Sequence, residues 1–182
     1  GKDDVLMPSD LEVTPKIVEA LENSDEDFDL DESASLELLT IDDASDLPKW
    51  ATKPTLQRFF HDKMKPWHDT HDDVGRALDY VFSDDAGRGG FLVLAGIGDK
   101  LVGAVTIVHT GMGGYVPEHL LLFICVHPAL RGCGVGKNLI QRAVNECDGS
   151  LKLHVEPDNP ARRLYERCGF EAKYVEMRLT KS

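Results

Sequence analysis

Long hydrophobic runs are missing from this chain of 182 residues. No stretch of eighteen apolar residues occurs, so a membrane-spanning helix is not expected. The N-terminus has neither a basic region nor an apolar core behind it, which excludes the pattern of a secretory signal. Cysteine is scarce. The four present (Cys125, Cys133, Cys147, Cys168) lack Cys-x-x-Cys spacing, so free thiols in a reducing, cytoplasmic setting are expected. An excess of positive charge is also lacking: 20 Lys and Arg stand against 32 Asp and Glu, a net charge of −12. Nucleic-acid binding needs a basic surface, so neither nucleic acid nor membrane is an expected partner.

The acidity is unevenly placed. Residues 1–34 hold twelve Asp/Glu and two Lys, while the rest hold twenty acids against eighteen bases. Residues 1–34 therefore read as an acidic leader, and residues 35–182 as one nearly neutral domain large enough for a core. Ser9-Asp10-Leu11-Glu12 has the form of a capping box, with Ile17, Ala20 and Leu21 as an apolar stripe behind it. A short helix from Ser9 to about Glu22 is expected. Residues 23–32 are acidic and broken by Phe28 and Leu30, and the expectation is a solvated linker. The sharper alternative is a docking segment anchored by those two side chains.

The richest stretch is Arg131-Gly132-Cys133-Gly134-Val135-Gly136-Lys137. A strand-like run, Leu120–Val126, precedes it, and an amphipathic helix pattern (Leu139, Ile140, Ala143, Val144) follows. A glycine-rich turn between strand and helix leaves N–H groups at the positive helix end, which suits a phosphate. The P-loop pattern fails, because Arg131 falls where its first glycine belongs and Asn138 where its hydroxyl belongs. The dinucleotide fingerprint fails too: either start puts Lys137 or Leu139 at the third glycine.

A second motif follows, Asn159-Pro160-Ala161-Arg162-Arg163-Leu164-Tyr165-Glu166-Arg167-Cys168-Gly169-Phe170. Asn159 suits an N-cap and Pro160 the first helical position. Ala161, Leu164 and Cys168 share one face, and Gly169 suits the left-handed end. Arg-x-x-Gly-x-Gly after Val-His-Pro, followed by this helix, closely resembles the general-control-related N-acetyltransferase (GNAT) superfamily. The resemblance covers about Ser35 to Lys181 and is strongest from Leu101 onward.

The coarse reading gives strands over Leu36–Ile41, Phe91–Ile97, Leu101–His109, Leu120–Val126 and Leu151–Val155, with a closing strand over Lys173–Thr180. Helices open at Pro54 and after Thr70. That order matches the α/β GNAT fold, a mixed sheet with helices on both faces.

The resemblance implies an N-acetyltransferase that binds acetyl-CoA as donor substrate, uses no metal, and lets a small-molecule or peptide amine attack directly in a ternary complex. It is compatible with a homodimer. The coenzyme would lie along backbone at Ile124, Cys125 and Val126. Its pyrophosphate would sit on Arg131, Gly132, Cys133, Gly134, Val135, Gly136 and Lys137, with Asn159, Ala161 and Tyr165 nearby. Tyr165 is the expected general acid for the leaving thiolate. Glu118, with His119 beside it, is the candidate base. His127 reads as structural. Trp67, His68, Asp69 and Tyr115 are candidates for the acceptor site. The cluster Trp67–Asp73 looks like a metal site, but Thr70 as cap with Asp72 and Asp73 in a first helical turn explains it better. The rival reading is a non-catalytic acyl-CoA-binding or protein-interaction module of the same fold.

Overall fold

The computed structural model describes residues 10–24, 26–28, 30, 34–63 and 71–182. Six strands form one sheet in chain order: β1 (Asp10–Glu12), β2 (Ser35–Ile41), β3 (Gly90–Ile97), β4 (Lys100–His109), β5 (His119–Val126) and β6 (Leu151–Leu153). All neighbours are antiparallel except β5 and β6, which are parallel. The β3–β4 hairpin turns on Gly98 (φ 55°) and Asp99 (φ 57°), the left-handed pair that a two-residue turn requires.

Among the described residues, five α-helices cover the two faces: α1 (Pro15–Glu22), α2 (Lys53–Lys63), α3 (His71–Val81), α4 (Val135–Glu146) and α5 (Ala161–Arg167). Alternation along β3 divides the core. Phe91, Val93, Ala95 and Ile97 face α1, α4 and α5, burying Ile17, Leu21, Leu139, Ile140 and Tyr165. Leu92 and Leu94 face α2 and α3, burying Leu56, Phe60, Val74 and Leu78. Each face is therefore a sheet-on-helix layer, as the mixed-sheet reading expected.

Three expectations are corrected. The capping-box residues Asp10–Glu12 form a strand paired with Ser35–Glu37, and the helix starts only at Pro15. Thr14 caps it, accepting from Ile17 N–H at 3.3 Å, because a Thr-Pro pair supplies both the acceptor and the pre-set first helical position. The described part of the acidic run is not a solvated linker: Phe28 and Leu30 are half-buried against the core, and Glu26 pairs with Lys63. Lys173–Thr180 is not a sheet strand, and its Val175, Met177 and Leu179 side chains stand exposed.

Candidate functional site

β5 carries one residue more than its neighbour. Thr106 of β4 aligns with Phe123 and Ile107 with Leu121, so Leu122 is left over as a bulge. A bulge bends its strand and tightens the local twist. On its other side, β5 pairs with β6 only through His119–Leu121 against Leu151–Leu153. From Leu122 to Val126 that edge of β5 has no strand partner among the described residues, and the two strands part. An open edge of N–H and C=O groups is a template for an extended ligand with amides of its own. Ile124 and Val126 pack toward α4 and α5, whereas Cys125 is buried on the opposite face.

The open edge runs into the glycine loop. His127 closes the strand: its N–H donates to Val102 O at 2.8 Å, and its Nδ1 accepts from Ala129 N–H at 3.1 Å. Burial lowers the imidazole below its usual 6.5, in keeping with that acceptor role. Gly132 (φ 80°) and Gly134 (φ 86°) then adopt left-handed backbone around Cys133, the conformation that turns successive N–H groups into an anion-binding concavity. The first intrahelical bond of α4 runs from Asn138 N–H to Gly134 O at 3.1 Å. The N–H groups of Val135, Gly136 and Lys137 precede it, and Gly134 offers no side-chain acceptor. An oxyanion with several acceptor oxygens fits this donor set. Lys137 is exposed at the loop, while Arg131 donates from Nη2 to Lys63 O at 3.2 Å and so links the loop to the end of α2.

The second motif packs on the first. A Cβ on Gly136 would stand 3.0 Å from Leu164 Cδ2 and 3.6 Å from Val126 Cγ2, so glycine lets α5 approach the first turn of α4. α5 begins one residue later than expected, with Pro160 at its N-cap; Asn159 Oδ1 still accepts from Ala161 N–H at 2.9 Å, and Gly169 (φ 98°) ends the helix. Between them Tyr165 is buried, 8% exposed, with Phe170 edge-on at 6.0 Å. Burial, then the neighbouring Cys168, pushes the phenol up to about 12. It stays protonated, a hydrogen-bond donor, across the neutral range.

The other candidates are not brought to this end of β5. Glu118 precedes the strand, about 13 Å of chain before Leu122 at strand rise. Its Oε2 accepts from Ser150 N–H at 2.8 Å, and backbone hydrogen bonds hold its carboxyl below the usual range. His119 Nε2 accepts from Asp148 N–H at 3.2 Å, and its Nδ1 lies 3.0 Å from His109 Nδ1. Both ring nitrogens of His119 are thus engaged. Tyr115 is 83% exposed, stacked loosely with Tyr174 at 6.1 Å. Trp67, His68 and Asp69 lie outside the described residues. No described helix is long and apolar enough to cross a membrane. Sequence reasoning missed Lys16, Glu26 and Lys63, which surround the loop. The one signal for them was that Lys16 is the single base between residues 10 and 34.

The sequence profile of the family described as Acetyltransferase (GNAT) family matches residues 50–170. A curated relative, the cysteine-rich protein 2-binding protein of Mus musculus, is 35% identical over 57 residues. That match spans 31% of this chain and only 7% of the relative. Among solved structures, aminoglycoside N-acetyltransferase AAC(6')-Iy in complex with CoA is similar at a TM-score of 0.60 and 16% identity, over 84% of this chain and 98% of that one. An aminoglycoside acetyltransferase from an uncultured soil metagenomic sample, in complex with sisomicin, gives 0.54 and 18%, over 81% and 97%. At such identities the likeness is one of fold. The chain belongs to the GNAT acetyltransferase family.

Proposed function

We propose that this protein transfers the acetyl group of acetyl-CoA to a primary amine, by direct attack in a ternary complex. The observation that carries the reading is the bulge at Leu122, which opens the β5 edge directly into the Gly132–Lys137 anion loop. The pantetheine amides would pair with the edge at Ile124 and Val126, and the pyrophosphate would take the N–H groups of the loop. Tyr165 would donate to the thiolate as the coenzyme leaves. At about 12 its phenol is a poor full proton donor to a thiolate of ordinary pKa near 8.5, so its contribution is a hydrogen bond that strengthens as charge develops. A cysteine acyl-enzyme is disfavoured, because burial pushes the Cys125 thiol to about 12 and Cys147 to about 11. All four cysteines are free, which fits a reducing compartment such as the cytoplasm.

The acceptor in this reading is a small-molecule or peptide amine. Sisomicin in the metagenomic relative supports the small-molecule class. A homodimer is part of the proposal, built on the exposed Val175, Met177 and Leu179. One observation favours the rival reading of a non-catalytic acyl-CoA-binding module: Glu118 and His119 are both engaged elsewhere and leave no base assigned. Free-thiol release from acetyl-CoA across a panel of amines separates the two. Thiol release that depends on one amine establishes transfer, and coenzyme binding without any release establishes the module.

A further inference from the structure

We propose that Lys16 and Glu26, from the N-terminal acidic segment, are positioning residues for the coenzyme loop; the inference rests on the donor reading above. A loop with two left-handed glycines has backbone freedom to lose before its N–H groups can converge on an anion. Contacts from Lys16, Glu26 and Phe28 bear on that loop at its tip and on the turn that leads into it.

At its tip, Lys16 Nζ donates to Gly132 O at 3.2 Å, across 116 residues of sequence. The N–H of the same peptide unit, on Cys133, donates to Leu130 O at 3.1 Å. The peptide plane between the two left-handed glycines is therefore fixed from both sides. Lys16 is itself firmly based: the next residue, Ile17, is 4% exposed and Leu21 is 1% exposed, in the core that also holds Leu130 and Val135. α1 packs against Pro128–Leu130, the turn from which the loop springs.

At the stem, Glu26 Oε1 lies 2.6 Å from Lys63 Nζ and 3.3 Å from His127 Nε2. Phe28 meets the His127 ring edge-on at 5.7 Å. Arg131, at the start of the loop, donates to the carbonyl of the same Lys63. Charge placement agrees with a supporting role. An acidic segment beside an anion site would repel the ligand, yet its single base between residues 10 and 34 is the one that meets the loop. Glu26, for its part, is matched by a cation.

The test is coenzyme A binding by calorimetry to the full chain, in wild type and in Lys16→Met, Lys16→Arg and Glu26→Gln, with thermal midpoints measured alongside. Lys16→Met should raise the Kd roughly three- to tenfold, as expected for loss of an exposed charge-assisted contact. Lys16→Arg, which keeps a donor, should restore it to within about twofold. Glu26→Gln should weaken binding in the same direction. A purely structural role would move the thermal midpoint, and arginine would rescue it no better than methionine. Wild-type affinity in Lys16→Met, or weakening that arginine does not reverse, overturns this inference alone. Failure of the wild-type protein to bind coenzyme A overturns the donor reading and this inference with it.

Discussion

Leu164 reaches over Gly136 so closely that its Cδ2 stands 3.0 Å from where a Cβ would be. That contact joins the two halves of the proposed donor site, because Gly136 belongs to the glycine loop and Leu164 adjoins Tyr165. Alanine at 136 gains about 1 kcal/mol of helix propensity and loses some of it to crowding, so its net effect should be small. Valine adds two further methyl groups to a filled space and should cost about 1–3 kcal/mol. In a chain of this size that is a fall of roughly 3–9 °C in thermal midpoint. The double variant Gly136→Val, Leu164→Ala should recover part of the loss. Calorimetric melts of wild type, Gly136→Val, Leu164→Ala and the double variant check this, and additive losses would count against the contact.

Gly134 is constrained by backbone rather than by space. Its φ is 86°, and nothing lies within 4 Å of the Cβ it lacks. Gly134→Ala should therefore cost about 1–2 kcal/mol through the left-handed conformation alone, with no clash to relieve. Gly134→Asn should cost less, since asparagine tolerates that region. Relaxation out of it would scatter the N–H groups, so coenzyme A affinity should fall in the order Gly, Asn, Ala. Titration of the three proteins by intrinsic fluorescence gives the order directly.

The glycine loop and the helix after it were legible because their determinants are local. Gly132, Gly134 and Asn159 act on backbone within a few residues of themselves, so their spacing carries the geometry. The bulge at Leu122 was not legible. It depends on register against β4, and Leu120–Val126 reads as an unbroken apolar strand. The leader misled for the same reason. Asp10–Glu12 lies within a capping pattern, but its backbone pairs with Ser35–Glu37, a partner that no local pattern names. Nothing within residues 23–32 announces that Glu26 meets Lys63, 37 residues later. The acceptor side was read from residue types alone, and Glu118 shows the weakness of that: its carboxylate serves Ser150.

Acid should destabilise the protein in two stages. His119 is lowered from its ordinary 6.5 by burial and then by His109, and His127 by burial and Lys63, against the pull of Glu26. The unfolded chain therefore takes up protons first as pH falls through 6.5, and stability present above that value is lost below it. Burial works against the Glu26 carboxylate, but Lys63 and His127 outweigh it and hold it below 4.5. Its contribution is lost from about that pH downward, with the same sign. Thermal midpoints should decline below pH 6.5 and again below 4.5. His119→Gln should shrink the first decline to the share that His127 contributes and leave the second.

The C-terminal segment bears on assembly. Val175, Met177 and Leu179 alternate as a strand does, and they are 87%, 89% and 85% exposed. Among the described residues no strand follows β6, and its outer edge has no strand partner there. Large apolar side chains in a row at such exposure mark an interaction site. In the proposed homodimer the segment of one copy covers the other. Sedimentation should show concentration-dependent association, and Met177→Asp should shift the protein to monomer without lowering its coenzyme affinity. A monomer at every concentration would remove the dimer from the proposal.

Tyr165 carries the sharpest chemical prediction. Replacing it with phenylalanine keeps the ring, the contact with Phe170 and most of the buried area, and deletes only the hydroxyl. If that hydroxyl stabilises the leaving thiolate, kcat should fall by about 10²-fold, the usual effect of removing one donor to developing charge. Acetyl-CoA affinity should change far less, because the ground-state thioester carries no such charge. The pH profile adds a second check. A tyrosine at the ordinary value near 10 would lose its proton as the amine acceptor loses its own, and the rate would turn over there. With the phenol pushed to about 12, the wild-type rate should keep rising through pH 10 as amine deprotonates. Unchanged turnover in Tyr165→Phe would reassign the residue to packing, and an alkaline limb near pH 10 would show its hydroxyl to be wetter than its burial implies.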